Sequence, residues 1–161
     1  RSELGGGVLL ELSHEFDYLR WFFGEVHNVA AVLRNSGSLE VNVEDSADMI
    51  FESKIGFIVN VHLDFNSRNS RRTCSVRCEN GDLIWDLINQ NIILNAFNKP
   101  KEIKHFNSDR DVMFREQLKH FFNCIENKDA PKIGLKDGVA VLKIIKSIKE
   151  SNKTGKKITI N

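Results

Sequence analysis

The clearest pattern in the chain is an alternation over residues 55–66. Ile55, Phe57, Val59, Val61, Leu63 and Phe65 fall on one face, and Gly56, Ile58, Asn60, His62, Asp64 and Asn66 on the other. A period of two marks a strand with one side in the core, so this stretch predicts a long half-buried strand of an antiparallel sheet. Its second face is mostly polar and meets water, a ligand or a polar interface. Residues 45–52 alternate likewise, with Ala47, Met49 and Phe51 together, and Ser53-Lys54 offers a tight turn between the two strands. Upstream, residues 26–34 are apolar and β-branched in their middle, and Asn35-Ser36-Gly37-Ser38 closes them with a turn. Downstream, after a polar loop over 66–72, the segments 71–79, 83–88 and 92–97 read as a meander. Asn80-Gly81 is its hairpin signal, and Lys99-Pro100-Lys101 breaks it before a short strand over 103–106.

Three stretches carry a helical period instead. Leu12, Phe16, Leu19 and Phe23 recur at i, i+4, i+7 and i+11, which predicts one helix over 9–23, stopped by Gly24. Ser108 and Asp111 resemble a capping box, and Phe114, Leu118, Phe121 and Ile125 continue it as a helix ending before Pro131. Val141, Ile144, Ile145 and Ile148 predict a helix over 135–151, with a last strand at 158–160 beyond Gly155. The order is helix, several antiparallel strands, two helices and a terminal strand. That predicts an α+β fold, one large and mostly antiparallel open sheet with helices packed on one face. Without repeats, low-complexity tracts or an internal linker, a single domain over residues 1–161 is expected.

Composition narrows the function classes. The 161 residues hold 23 Lys+Arg against 22 Asp+Glu, a net charge of +1, which lacks the basic footprint of a nucleic-acid protein. With 41% hydrophobic and 28% charged residues, disorder is not expected. No apolar run approaches the ~18 residues of a membrane span. Cys74 and Cys78 lie four residues apart in a predicted strand, ~13 Å against the ~7 Å limit for a disulfide. The three cysteines are therefore expected as reduced thiols in a cytoplasmic protein, and no metal site is expected. The chain opens on Arg1 without a cationic, apolar leader and is expected to be a segment starting partway through a longer protein.

Candidate chemistry concentrates in the first helix. At ~100° per residue, Glu11, His14, Tyr18 and Trp21 share one face, with Asp17 beside it, apart from the apolar stripe. A histidine flanked by carboxylates at i−3 and i+3 can be oriented and its imidazolium stabilised, which suits proton transfer near neutral pH. Ordinary solvated ion pairs on a helix surface would give the same spacing. His62 and Asp64 point the same way from one strand, as a ligand or interface pair or a wet sheet face. Arg68, Arg71 and Arg72 could hold an anionic substrate, or simply be solvated. Neither a G-x-G-x-x-G nor a G-x-x-x-x-G-K-[ST] motif occurs, so Gly5, Gly6 and Gly7 are the only weak candidates for touching a dinucleotide, and a flexible helix entry explains them as well.

The stretch from Gly5 to Gly24, GGGVLLELSHEFDYLRWFFG, resembles the opening of the C-terminal domain of the glucose–fructose oxidoreductase / inositol dehydrogenase / MocA family. That opening has a glycine run, an acidic residue, His-x-x-Asp and an Arg-Trp-x-x-Gly ending. The hairpin Glu79-Asn80-Gly81-Asp82-Leu83-Ile84-Trp85-Asp86 and the ending from Gly134-Leu135-Lys136-Asp137-Gly138 to Gly155 are similar to later parts of the same domain. The resemblance implies a substrate-binding and oligomerisation domain whose parent carries an N-terminal Rossmann domain, absent from this chain. It implies a bacterial NAD- or NADP-dependent oxidoreductase transferring hydride to or from a sugar, sugar nucleotide or cyclitol. His14 would be the acid/base, with Glu11 where the family has an aspartate, one residue closer to the histidine. Asp17 matches the acidic residue after the histidine and would orient it or the substrate. Tyr18, His62, Arg68 and Arg71 are the expected substrate contacts. A homo-oligomer through the sheet face is expected, with neither nucleic acid nor membrane as partner, and the isolated segment is expected to be inactive. The alternatives are a non-catalytic binding or oligomerisation domain using the sheet and, more remotely, a hydrolase or isomerase using Glu11 and His14, for which no nucleophile motif is present.

Overall fold

The computed structural model describes residues 1–107 and 109–160. Two helices come first, α1 (Val8–Glu11) and α2 (His14–Phe23), followed by the strands β1 (Val26–Arg34), β2 (Ser46–Ser53) and β3 (Ile58–Asp64). Next are β4 (Thr73–Cys78), β5 (Gly81–Asp86), β6 (Asn91–Ala96) and β7 (Glu102–His105). The helices α3 (Arg110–Asn127) and α4 (Leu135–Thr154) and the short strand β8 (Ile158–Thr159) complete the chain. The class is α+β, as expected. The strands do not form one large sheet, however. They form two four-stranded antiparallel sheets, ordered β3-β2-β1-β8 and β4-β5-β6-β7. The ladder stops after β3 because the Asp64 carboxylate captures both the N–H and the hydroxyl of Ser67, turning the chain away. The meander then pairs only with itself through tight turns. The chain divides accordingly into two compact units, Arg1–Ser67 with Lys132–Asn161, and Arg68–Pro131.

The first unit holds the core. Val29 of β1, Ala47, Met49 and Phe51 of β2 and Leu63 of β3 face Phe16 of α2 and Val141, Ile144, Ile145 and Ile148 of α4. Phe16 and Phe51 meet edge-to-face at 5.9 Å between ring centroids. Each of these side chains larger than alanine contributes roughly 1.5–3 kcal/mol by leaving water, which is why the predicted stripes decide which helix faces turn inward. Past its short pairing with β8, β1 would expose backbone donors. The Ser151 hydroxyl accepts from the Ala31 N–H (3.0 Å) and the Asn152 amide oxygen from the Leu33 N–H (2.8 Å), so α4 covers that edge with polar side chains.

The predicted strand over 55–66 begins later, at Ile58. Residues 54–57 form the turn, with Gly56 at φ +93°, and Ser53 Oγ accepts from the Phe57 N–H. Ile55 and Phe57, placed by alternation on the core face, are exposed there. In the second unit, α3 starts at an N-cap Asp109, whose carboxylate accepts from the Asp111 N–H at 3.1 Å. Ser108, the expected cap, lies outside the described residues. The stripe of Phe114, Leu118, Phe121 and Ile125 is more than half exposed on α3. The cysteines are free thiols, and among the described residues no helix is long and apolar enough to cross a membrane.

Two polar clusters hold the first unit together. The Arg20 side chain, 9% exposed, reaches three carboxylates. Its Nε and Nη2 donate in a fork to Glu25 (3.0 and 2.6 Å), its Nη1 donates to Asp17 (3.2 Å), and Nη2 lies 3.4 Å from Asp137. Asp137 also accepts from the Gly134 N–H at 2.9 Å, closing the first turn of α4. At the other end Asp45, fully buried, accepts from the N–H and hydroxyl of Ser36, while Asn35 donates to the carbonyls of Val41 and Val43. The Ser36 hydroxyl bond holds the Asp45 carboxyl below its ordinary range.

Removing the guanidinium leaves partly buried carboxylates uncompensated. Arg20→Met should lower unfolding stability by about 2–3 kcal/mol, with Arg20→Lys recovering less than half because an ammonium cannot reproduce the fork. Urea melts of the two variants measure this, and a loss below ~0.5 kcal/mol would show the clamp to be energetically idle. Asp45 gives a pH signature. A depressed folded pKa stabilises fully above the unfolded value and is lost as pH falls through the folded one. The thermal midpoint of the native chain should exceed that of Asp45→Asn at neutral pH, and the gap should close as pH drops below about 4. A gap independent of pH would exclude the carboxylate as its source.

Candidate functional site

The glycine run ends at Gly7, whose φ of +118° suits glycine. The Val8 N–H donates to the Glu44 carbonyl at 3.0 Å, and α1 then lasts a single turn. The helix predicted over 9–23 is broken at Leu12-Ser13. Leu12 leaves the helical well (φ −102°, ψ 24°), and the ladder switches to i→i−3 bonds, Glu15 N–H to Leu12 and Phe16 N–H to Ser13. A tighter turn advances ~120° per residue rather than ~100°, so Glu11 and His14 do not keep the phase a continuous helix would give them.

His14 thereby becomes the first residue of α2, with its side chain 51% exposed. Its Nε2 lies 3.0 Å from Oε1 of the buried Glu15. Neither expected flanking carboxylate takes that place in the described contacts. Asp17 pairs with Arg20, and Glu11 stands exposed on α1. Tyr18 meets Phe22 edge-to-face at 5.7 Å, and Trp21, 80% exposed, stacks on Phe22 at 4.9 Å. Aromatic surface therefore follows His14 along the same helix. Glu15 and Arg20 are the residues that spacing rules missed. Arg20 had a local signal in Asp17 three residues before it, but Asp137 is distant in sequence.

His62 lies on the opposite face of the sheet from α2. Its Nδ1 is 2.7 Å from Asp48 Oδ1, directly across the β2–β3 pairing, and its Nε2 is 3.1 Å from Asp64 Oδ2. The Asp48 hydrogen bond foremost raises the His62 pKa, outweighing the opposing effect of its partial burial. The expected His62–Asp64 pair is present, but the sheet separates it from His14. Arg68 and Arg71 belong to the second unit, exposed in the segment before β4.

The glycine run offers no cradle for a dinucleotide diphosphate. A Cβ on Gly7 would collide with the Glu44 carboxylate, so the close approach that glycine permits there is made by an anionic side chain of this chain. An open depression of about 380 Å³ beside the run is bordered by Gly5, Gly6, Arg34, Glu44 and Lys149, and His14 does not line it. The glycine run therefore does not fit a bound dinucleotide diphosphate.

Residues 1–84 match the family model described as GFO/IDH/MocA C-terminal domain. No curated protein matches. Among solved structures, levoglucosan dehydrogenase in complex with NADH and levoglucosan superposes with a TM-score of 0.87 at 17% identity, over 97% of this chain and 51% of that one. The aldose–aldose oxidoreductase from Caulobacter crescentus, complexed with glycerol, gives 0.83 at 21% identity over 97% and 48%. The WlbA dehydrogenase from Bordetella pertussis, in complex with NADH and UDP-GlcNAcA, gives 0.75 at 18% over 97% and 48%. This chain thus spans about half the length of the structures it matches, and at these identities the likeness is one of fold. With the family model covering the glycine run, the His14 helix and the strands as far as the first part of β5, the chain belongs to the GFO/IDH/MocA C-terminal domain family.

Proposed function

We propose that this chain is the substrate-binding and acid–base domain of an NAD- or NADP-dependent oxidoreductase acting on a sugar, sugar nucleotide or cyclitol. The carrying observation is His14. It is a half-exposed imidazole on the first turn of a helix clamped at Arg20, and the resemblance of Gly5–Gly24 to the opening of the family's domain supports it as that motif's histidine. The dinucleotide supplies the hydride acceptor or donor and is held by a part of the parent protein outside these residues. His14 takes the hydroxyl proton when the substrate alcohol is oxidised and returns it when a carbonyl is reduced. Tyr18, one turn along α2, offers a hydroxyl to the substrate. Arg68 and Arg71 belong to the second unit and are given no part in this site. Asp17, engaged by Arg20, acts on the helix rather than on the imidazole, and Glu11 contributes charge near the site. The neighbours crystallised with levoglucosan and UDP-GlcNAcA support a carbohydrate-type substrate.

A second role is favoured by the outward face of the β3-β2-β1-β8 sheet. Val32, Ile50 and Ile58 are each more than half exposed there, interleaved with Asp48, His62 and Glu52. Apolar side chains set among charges suit association with a second copy of the chain rather than a solvated wall.

In the full-length protein, His14→Ala should lower kcat by about 10²–10³-fold without changing the circular dichroism spectrum. Unchanged turnover would remove His14 from the chemistry. For the sheet face, Ile50→Asp should weaken self-association at least about tenfold in sedimentation velocity. An unaltered distribution of species would place any oligomer contact elsewhere.

A further inference from the structure

Resting on the reading of the β3-β2-β1-β8 sheet face as the contact with a second copy of the chain, we infer that His62 is a proton switch in that contact: the copies associate with the ring doubly protonated between Asp48 and Asp64, and loss of a proton weakens them. The Nδ1 of His62 bonds Asp48 Oδ1 at 2.7 Å, and its Nε2 bonds Asp64 Oδ2 at 3.1 Å. An ionised carboxylate accepts hydrogen bonds and never donates, so each ring nitrogen facing one must carry its proton. Both bonds exist together only in the imidazolium. A neutral ring keeps one proton, and the carboxylate opposite its bare nitrogen loses its donor.

The sheet builds this cluster. Asp48 of β2 stands directly across from His62 of β3, and Asp64 follows on the same face of β3. Beyond β3, the N–H and hydroxyl of Ser67 hold Asp64 in place. On the β1 side, Val32 lies beside Asp48 and Arg34 beside Ser46. Arg34 is a cation at every pH of interest, and among the described residues no ion pair joins it to the cluster. At the other end of the face Glu52 takes Lys157 at 2.5 Å and the Asn28 amide at 3.0 Å, and that pair keeps its charges through neutral pH. His62 is thus the titratable cation of its own cluster. In the free chain water can replace a lost bond, since the His62 and Asp48 side chains are 57% and 66% exposed. A second copy laid on Val32, Ile50 and Ile58 removes that water. The cluster then carries one net negative charge with the imidazolium and two with the neutral ring, and an isologous contact brings two such clusters into one interface. Because the Asp48 hydrogen bond raises the His62 pKa, the ring stays charged to a higher pH than an ordinary histidine, and the paired state is lost as pH rises through that raised value.

The test uses full-length protein in sedimentation at fixed ionic strength. The dissociation constant of the self-associated form should rise at least about tenfold between about pH 6 and about pH 8.5. His62→Gln keeps a polar side chain but cannot gain a charge, so it should hold the weak value at both pH values with an unchanged circular dichroism spectrum. His27, which acts on Glu52 at the far end of the face, titrates alike in both proteins and so is controlled for. In protein labelled with ¹⁵N-histidine, the resonance missing from His62→Gln should report both ring nitrogens protonated at about pH 6. If Ile50→Asp leaves the distribution of species unaltered, the sheet-face reading fails and this inference with it. If Ile50→Asp separates the copies but the native constant is level across the pH range, or His62→Gln keeps the native slope, or the native ring is neutral at the acidic end, only the switch at His62 is overturned.

Discussion

The first unit depends on one buried cation. Arg20 gathers Asp17 from its own helix, Glu25 from the segment entering β1 and Asp137 from the start of α4. Those are three separate pieces of chain, and only their shared need for a counter-charge brings them to a single point. The fork to Glu25 raises the Arg20 pKa still further, and Arg20 in turn holds Glu25 below the usual carboxylate range. Because Asp137 also closes the first turn of α4, the same contact fixes where that helix begins. The hydrophobic core decides that α2 and α4 lie on the sheet, whereas non-directional burial leaves their sliding and rotation loosely specified. A guanidinium fork has a set geometry and supplies what burial lacks.

The parts of this fold that were legible in the sequence are those governed by burial on a single element. The stripe of Val141, Ile144, Ile145 and Ile148 is buried as its spacing demands, and Ala47, Met49 and Phe51 share the inner face of β2. What escaped was decided by hydrogen bonds. Alternation continues through Ile55 and Phe57, so periodicity runs the strand through a stretch that Ser53 and Gly56 turn into a loop. The split into two sheets likewise rests on Asp64 capturing Ser67, a side-chain event with no hydrophobic signature.

The site was legible to the same degree and for the same reasons. His14 stood out through motif resemblance and neighbouring carboxylates, but the choice of carboxylate presumed an unbroken helix. Once Leu12 leaves the helical well, the geometry of i, i+3 pairs no longer applies across the break. Glu15, which helical spacing places on another face, carries the carboxylate found 3.0 Å from the ring. Asp17, expected to orient the histidine or the substrate, pairs with Arg20 in the described contacts.

The electrostatics of the two ends of α1 and α2 explain why the chemistry falls as it does. At the glycine run, where an anionic diphosphate would need open backbone donors, Glu44 already fills the space with negative charge. Around His14, by contrast, the Glu15 carboxylate lies 3.0 Å from the ring. One end of this short segment disfavours a phosphate, and the other carries the imidazole. On the proposed reading that is a division of labour: the proton is handled within this chain, the hydride outside it, and the substrate carbon must lie where the two meet. The clamp at Arg20, by fixing α2 to α4, then determines where on this domain's surface that meeting point can be.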